Sequence, residues 1–384
     1  MRWVVESRAI LRGRKDIVPD FMPASAESTD LPVYLNAVGT AVPDHDIHTA
    51  FIAWARARTD ARSTKVFDRM ASRSGIAHRW SVLPPTADGG SPVDDAGFYA
   101  AEPHPGTAAR MTLYAEHAPD LAIRAIEALR AKVAVEGITH LVVASCTGFI
   151  APGIDQIIAR RLGLSSSVER LLIGFMGCYA AVVALRSARH IVRSEPSARV
   201  LVVTVELSTL HLQPANEIEP LLAMLQFGDG AAAALVTAEA TGLELGTPFA
   251  AALADTEALI RWDVTDAGFA MHLSGEVPAR IATALADTEF RAIVSDGQPP
   301  ESIDGWAVHA GGRSILDAVE HAMQLKPEAL AASRQVLAEN GNMSSATLMF
   351  VFERLLAGPP IAHGVALAFG PGLAAEGFGF RSAP

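Results

Sequence analysis

Short apolar runs alternate along the chain with segments whose apolar residues recur with the helical period. The apolar runs predict buried strands at 33–43, 140–145, 200–206, 231–238, 306–310, 347–352 and 364–369. The periodic segments predict helices, among them 119–136, 178–193 and 313–325. Buried strands that alternate with helices indicate an α/β fold.

The strand and helix pattern occurs twice, once before and once after about residue 238. We therefore predict two similar halves, 32–238 and 239–384, preceded by an N-terminal extension over residues 1–31. The extension ends in a polar run that contains proline. The stretch 84–105 is rich in Gly, Pro and Asp, which predicts a long loop.

The composition of the 384 residues narrows the class of protein. Hydrophobic residues make up 50% and charged residues 19%, which indicates a globule with a large core. The net charge of -11 argues against nucleic acid as the main partner. No apolar run reaches the roughly 18 residues of a membrane span, and the first residues lack the apolar segment of a signal peptide. Two cysteines, Cys146 and Cys178, form no disulfide framework, so we predict a reducing, cytoplasmic location.

Cys178 stands where an apolar run meets a helical segment. Gly177 precedes the cysteine, and the small residues Ala180, Ala181 and Ala184 follow it. This pattern predicts a strand-to-helix elbow, where backbone N–H groups and the helix dipole favour a nucleophilic thiolate. A buried structural cysteine would give the same local pattern, so both interpretations stay open at this point.

Two further segments carry candidate partners for the thiol. His309 ends an apolar run and is followed by Gly311 and Gly312, a setting that suits a partner for a nucleophile. Asn342 precedes a predicted helix start, where a helix N-cap is the ordinary alternative. The glycine-rich segment 368–380 lacks the G-x-G-x-x-G spacing, and neither a Walker A nor an HExxH motif occurs. We therefore predict no metal and no nucleotide cofactor.

Five motifs together resemble the type III polyketide synthases, the chalcone and stilbene synthase family. They are GFMGCYAA around Cys178, FGDGAAA at 227–233, HAGGRSILD from His309, GNMSSA from Gly341 and FGPG at 369–372. The resemblance covers residues 33–381, and the segment 109–122 is similar to bacterial members. It implies a thiolase-like α/β fold of five αβαβα layers built from two similar halves, in a homodimer.

The resemblance also implies roles for the three candidates. Cys178 would take a starter acyl group from coenzyme A, and His309 would hold the cysteine as thiolate by ion pairing. His309 and Asn342 would donate hydrogen bonds to the thioester carbonyl of malonyl-CoA as it loses CO2. The coenzyme A thioesters are substrates, and no other cofactor is implied. The expected product is a pyrone or a resorcinol- or phloroglucinol-type ring.

Further positions follow from the same resemblance. It implies gatekeepers at Phe227 and Met271, coenzyme A contacts from Arg69, Arg73, Gly311 and Gly312, and a cavity lined by Cys146, Thr147, His211, Leu212, Trp262 and Ser344. A third basic position falls on Val66, beside Lys65. Ala151 stands where plant members carry a methionine that reaches across the dimer interface. Trp262 replaces a glycine and is expected to fill cavity volume, and His211 is expected to add a polar group.

Three other functions compete with this interpretation. A ketoacyl synthase of the initiating fatty-acid type shares the fold and the Cys-His-Asn chemistry but uses an acyl carrier protein. Such enzymes carry Gln-Ala-Asn after the histidine and an Asn-Thr-Ser motif, whereas this chain has HAGG and GNMSS. An inactive thiolase-fold scaffold has no reason to keep all three candidate residues. A cysteine hydrolase would need water at the acyl-enzyme, and hydrolytic release stays open as a side step.

Overall fold

A computed structural model describes residues 31–384 of the chain. The strands are β1 (Tyr34–Ala41), β2 (His45–Asp46), β3 (Trp80–Ser81), β4 (His140–Ser145), β5 (Glu169–Gly174), β6 (Val200–Leu207), β7 (Asp229–Thr237), β8 (Leu243–Ala252), β9 (Ile260–Thr265), β10 (Gly268–Leu273), β11 (Gly305–Val308), β12 (Gly364–Gly370) and β13 (Ala374–Ser382). The α-helices are α1 (His48–Arg56), α2 (Ala61–Arg73), α3 (Thr107–Arg130), α4 (Ile154–Arg161), α5 (Ala180–Ser194), α6 (Ile218–Met224), α7 (Val277–Ala286), α8 (Thr288–Val294), α9 (Arg313–Ala322), α10 (Ala331–Asn340) and α11 (Ser345–Leu356).

One mixed sheet carries the fold, with the strand order β11-β12-β13-β8-β1-β7-β6-β4-β5. On one side β4 and β6 are parallel, and β6, β7 and β1 are successively antiparallel. On the other side β11 and β12 are parallel, and β12, β13 and β8 are successively antiparallel. The order β4-β6-β7-β1 is thus repeated as β11-β12-β13-β8. Strands β1 and β8 join the two sets through the pairs Tyr34–Glu244 and Leu35–Leu243.

Helices α5 and α11 lie between the two sets of strands. Their apolar side chains share one core with strand residues such as Val202 and Ala366. Neighbouring residues on the same strands point the other way, because successive side chains of a strand alternate between its faces. Val203 packs with α3 on one outer face, and Leu367 packs with α9 on the other. The two sets of strands thus form two layers, with one helix layer between them and one on each outer face. This confirms the predicted five-layered thiolase-like arrangement.

Two predicted elements differ from the structure. The run 347–352 was expected to be a strand but lies inside helix α11. All of its residues are buried, and a helix that is apolar on every side gives no periodic signal that would separate it from a strand. The helix predicted to start at Pro119 is α3, which begins at Thr107 and contains the proline. The predicted loop over 84–105 is confirmed, with a short 3-10 turn at Phe98–Ala100.

The division into halves at about residue 238 stays a prediction, although the repeated strand order is consistent with it. The N-terminal extension predicted over residues 1–31 lies, apart from its last residue, outside the described residues. Within residues 31–384, no helix is long and apolar enough to cross a membrane.

Candidate active site

The elbow that presents Cys178 is held in an unusual backbone conformation. Strand β5 ends at Gly174, and Phe175 and Gly177 then adopt positive φ angles of 57° and 74°. A Cβ atom at Gly177 would lie 2.3 Å from the Pro371 side chain, so only glycine fits there. Cys178 follows in a 3-10 turn, immediately before α5 begins at Ala180. The predicted strand-to-helix elbow is confirmed.

Cys178 is buried, with an exposed fraction of 7%. Burial raises the pKa of its thiol to about 12, and the negative charge of Glu206 acts in the same direction. Hydrogen bonds from the side chains of Ser344 and Asn342 lower the pKa of the thiol. Burial therefore opposes the expected effect of the helix N-terminus and favours the thiol form of Cys178.

Asn342 joins Cys178 to the other half of the sheet. Its Nδ2 lies 4.0 Å from Cys178 Sγ and donates to the carbonyl of Gly311 at 3.1 Å. Its Oδ1 accepts the backbone N–H of Ser344 at 2.8 Å, and Ser344 has a φ of 47°. Helix α11 begins after Ser344, so Asn342 is not the N-cap that was the ordinary alternative. The side chain is instead directed to the thiol.

His309 is fully enclosed at the end of β11, and neither ring nitrogen has a hydrogen-bond partner among the residues described. A Cβ atom at Gly311 would lie 3.5 Å from His309 Nε2, which places the ring beside the glycine that Asn342 binds. Burial lowers the pKa of His309 to about 3. Burial thus favours the neutral imidazole, and the thiolate–imidazolium pair implied by the family pattern stays a prediction.

A buried carboxylate, Glu206 at the end of β6, ties the elbow to its neighbours. Its Oε2 accepts the backbone N–H of Cys146 at 2.9 Å and the Thr147 hydroxyl at 3.0 Å, and its Oε1 accepts the Ser345 hydroxyl. The Cys146 sulfur accepts the N–H of Gly177 at 2.8 Å. Burial raises the pKa of Glu206 to about 7. Cys146 thus links Glu206 to Gly177, the residue that precedes the nucleophile.

Trp262 stands at the centre of a cluster of aromatic rings. It makes edge-to-face contacts with Phe175, Phe227 and His211, at centroid distances of 6.4, 6.2 and 6.0 Å. His211 stacks on Phe269 at 4.2 Å, donates from Nε2 to the carbonyl of Thr147 and accepts the N–H of Phe269 at Nδ1. Both nitrogens of His211 are occupied by backbone bonds. His211 lines the cavity as a polar residue, but neither ring nitrogen is free to bind a ligand.

Three cavities surround these residues. A narrow one of about 40 Å³ is lined by Phe227, Met271, His211, Leu212 and Trp262, among others. A second, of about 280 Å³, is lined by Cys146, Phe175, Gly177 and Trp262. The third, of about 780 Å³, is open to the surface and lined by Met70, Arg73, Gly311, Gly312 and Arg313, and we refer to it as the tunnel. Trp262 separates the first two, and Ala223 lines both the first and the tunnel.

Comparison with known proteins assigns the chain to a family. Residues 24–240 match the family model described as chalcone and stilbene synthases, N-terminal domain. Residues 244–384 match the corresponding C-terminal domain. The chain belongs to the chalcone and stilbene synthase family. It is a type III polyketide synthase, an acyltransferase that acts by decarboxylative condensation.

Individual relatives agree with this family. The alpha-pyrone synthesis polyketide synthase-like Pks18 of Mycobacterium tuberculosis is 37% identical over 302 residues, which cover 74% of this chain and 76% of that protein. Type III polyketide synthase C of Arabidopsis thaliana is 34% identical over 264 residues, or 65% of this chain and 69% of that protein. The likeness to Pks18 is consistent with the bacterial character of residues 109–122. The fatty-acid ketoacyl synthase alternative is not favoured.

Solved structures with the same fold include two that cover nearly the whole chain. PKS-I of the brown alga Ectocarpus siliculosus is 30% identical, with a TM-score of 0.82 over 93% of this chain and 100% of that chain. CsyB complexed with CoA-SH has a TM-score of 0.78 over 92% of this chain and 100% of that chain. At 24% identity, CsyB supports the fold alone.

Several of the positions implied by the family pattern line the cavities described above. Phe227 and Met271 line the narrow cavity, and Phe227 forms an isolated β-bridge with Asn342. Arg73 lines the tunnel, whereas Arg69 is exposed on α2 and is not among the residues that line it. Thr147 is turned away from the cavities to Glu206. Ser344 is buried beside the thiol.

Two residues that matter here were missed by sequence reasoning. Glu206 is a single carboxylate at the end of an otherwise apolar strand, and that isolated charge was the available signal. Arg79 is buried and donates from Nη1 to the carbonyls of Met224 and Phe227, which fixes the gatekeeper segment. Its sequence neighbourhood gave no sign of burial.

Proposed function

We propose that Cys178 carries the acyl chain of a polyketide and that His309 and Asn342 complete the catalytic site. The observation that carries this proposal is the convergence of a buried thiol, a buried imidazole with two unused nitrogens and an amide directed at the sulfur. Buried polar groups are normally paired, so an unpaired one beside a buried thiol and amide is a candidate for chemistry.

Starter loading begins with the thiol proton. A neutral imidazole can accept it, and His309 is neutral because burial lowers its pKa. The resulting thiolate gains hydrogen bonds from Ser344 and Asn342 and attraction from the imidazolium. The sulfur then attacks the starter thioester, the bond from the carbonyl carbon to the coenzyme A sulfur breaks, and free coenzyme A leaves.

Extension uses malonyl-CoA. Loss of CO2 leaves an electron pair that forms an enolate, with negative charge on the thioester oxygen. Donors held by the fold at that oxygen stabilise the charge without reorganising. One N–H of Asn342 is engaged by Gly311, and the other, directed at Cys178 Sγ, is the one that would serve. The enolate carbon attacks the Cys178 thioester, the thiolate leaves, and the chain has grown by two carbons.

We propose that the tunnel of about 780 Å³ admits the coenzyme A thioesters. It passes Gly311 and Gly312, where the lack of side chains leaves room for a narrow arm, and it meets the gatekeeper cavity at Ala223. Membership of the chalcone and stilbene synthase family supports coenzyme A as the carrier. The thioesters are substrates, and the proposal includes no further cofactor.

The proposed product is a pyrone or a resorcinol- or phloroglucinol-type ring formed from an acyl-CoA starter. The name of Pks18 supports the α-pyrone among these three outcomes.

We further propose a homodimer located in the cytoplasm. Strand β5 is an edge strand, and Leu171 and Leu172 on it are 41% and 46% exposed. Phe149, two residues before Ala151, is 51% exposed on the neighbouring loop. Exposed apolar residues on a sheet edge favour pairing with a second copy. Two free thiols favour a reducing compartment.

The proposal is tested by incubating the purified protein with malonyl-CoA and a panel of acyl-CoA starters and identifying products by mass spectrometry. Polyketides that lengthen by two carbons per malonyl unit are expected. Transfer only from acyl carrier protein, with no product from any coenzyme A thioester, would contradict it.

A further inference from the structure

Arg313 lies at the point where the tunnel opens to the surface. It is the first residue of α9, directly after Gly312, and it lines both the tunnel and an adjoining surface groove of about 410 Å³. Its side chain is about half exposed, at 53%. A ligand that occupies the tunnel can therefore reach this guanidinium.

The guanidinium is held next to a second arginine. Arg313 Nη1 donates to the backbone carbonyl of Arg73 at 3.5 Å, so its side chain crosses the C-terminal end of α2. Arg73 also lines the tunnel and makes no ion pair within residues 31–384. Arg73 and Arg313 thus both line the tunnel, one as the last residue of α2 and the other as the first residue of α9.

The acidic residues near this pair leave most of the Arg313 donors unused. Asp317 lies 3.5 Å from Arg313 Nε, but its other oxygen is 2.7 Å from Arg334, which also binds Glu320 at 2.9 Å. Asp317 is therefore shared, and its contact with Arg313 is the longer one. Glu219 also lines the tunnel, so the mouth carries charges of both signs.

The helix α2 lacks a basic side chain where the family pattern has one. Val66 occupies that position and is 47% exposed, and Met70, one turn further along, is 48% exposed and lines the tunnel. An apolar side chain cannot bind a phosphate, so a cation has to come from elsewhere. Arg313, which lines the same tunnel from α9, is the candidate that the geometry supplies.

We propose that Arg313, together with Arg73, binds the phosphate groups of the incoming coenzyme A thioester and replaces the basic contact that is missing at Val66. A planar guanidinium suits phosphate oxygens because it can donate two parallel hydrogen bonds. The 3′-phosphate and the diphosphate of coenzyme A share this chemistry. The proposal rests on the proposed function, because it requires that coenzyme A thioesters enter by this tunnel.

The test compares Arg313→Ala with wild type using two forms of the same acyl group. One is the coenzyme A thioester, and the other is the N-acetylcysteamine thioester, which lacks the nucleotide and its phosphates. The variant should raise KM for the coenzyme A thioester by about tenfold, the order expected for one charge-assisted hydrogen bond, and leave kcat unchanged. KM for the N-acetylcysteamine thioester should not change. The matched control is Arg130→Ala, since Arg130 is a half-exposed arginine on α3 paired to Glu127, away from the tunnel.

A third arm uses the dephospho-coenzyme A thioester. If the effect of Arg313→Ala disappears with this substrate, the residue binds the 3′-phosphate, and if the effect persists, it binds the diphosphate. A change in KM of less than twofold, or one equal for the N-acetylcysteamine thioester or for Arg130→Ala, would overturn the proposal. Wild-type protein that condenses no coenzyme A thioester would instead refute the proposed function, so the two failures are distinguishable.

Discussion

Asn342→Ala removes the side-chain N–H that we propose stabilises the enolate during decarboxylation. Asn342 has two N–H groups on Nδ2, and one of them is bound to the carbonyl of Gly311 at 3.1 Å. The substitution therefore removes the other N–H, which is directed at Cys178 Sγ. Loss of one donor to a developing oxyanion costs about 3 to 4 kcal/mol of transition-state stabilisation, or roughly 100- to 1000-fold in rate. The same change leaves the buried N–H of Ser344 without its acceptor, at a cost of about 1 to 3 kcal/mol in stability.

Two assays separate the two steps at this site. Decarboxylation is followed as CO2 and acetyl-CoA formed from malonyl-CoA in the absence of starter. Loading is followed by intact-protein mass after a short incubation with starter acyl-CoA. We expect decarboxylation to fall by about 100- to 1000-fold and loading to change by less than about tenfold, because Asn342 lies 4.0 Å from the sulfur and acts on it weakly.

Asn340→Ala is the matched control. Asn340 is also buried, binds the carbonyl of Val336 and Nε1 of Trp80, and has no contact with the thiol. It should lower the melting temperature without changing decarboxylation per folded enzyme. Parallel loss of loading and decarboxylation in Asn342→Ala would refute the assignment, as would an unchanged decarboxylation rate.

Three further substitutions, two near the site and one on the edge strand β5, give testable outcomes. Trp262→Gly should join the cavities of about 40 and 280 Å³ and lengthen or alter the product, seen by mass spectrometry; an unchanged product would show that Trp262 does not bound the cavity. Glu206→Gln should lower the pKa of Cys178, so the midpoint of its alkylation by iodoacetamide should move to lower pH. Burial raises the pKa of Glu206 from 4.5 to about 7. The free energy of unfolding of the wild type should therefore fall by about 3 kcal/mol as pH rises through that interval, and the variant should lack this loss. Leu172→Lys should shift the protein to monomer in light scattering, and a persistent dimer would exclude β5 as the interface.

The strands that surround the site were predictable because each is a short apolar run bounded by polar residues. Strands β4, β6 and β12 match the predicted runs to within a residue or two. The elbow was predictable because Gly177 stands between an apolar run and a helical segment. The first two turns of helix α11 were not predictable, because residues 345–352 are all buried and their apolar residues show no helical periodicity.

The chemistry of individual side chains was harder to predict than their places. His211 lines the cavity as expected, but the hydrogen bonds of its two nitrogens to backbone groups of distant segments could not be read from the sequence. The protonation of Cys178 depends on burial and on Glu206, neither of which a local sequence pattern reports. Such properties arise from long-range packing, so they could be assigned only once the fold was known.

The central claim is that the starter acyl group is carried on Cys178. Intact-protein mass after incubation with a starter acyl-CoA, followed by mapping of the modified peptide, tests it directly. We expect one acyl group per chain, located on the peptide that contains Cys178 and absent from Cys178→Ala. An acyl group on Cys146, or loading and product formation that survive in Cys178→Ala, would contradict it.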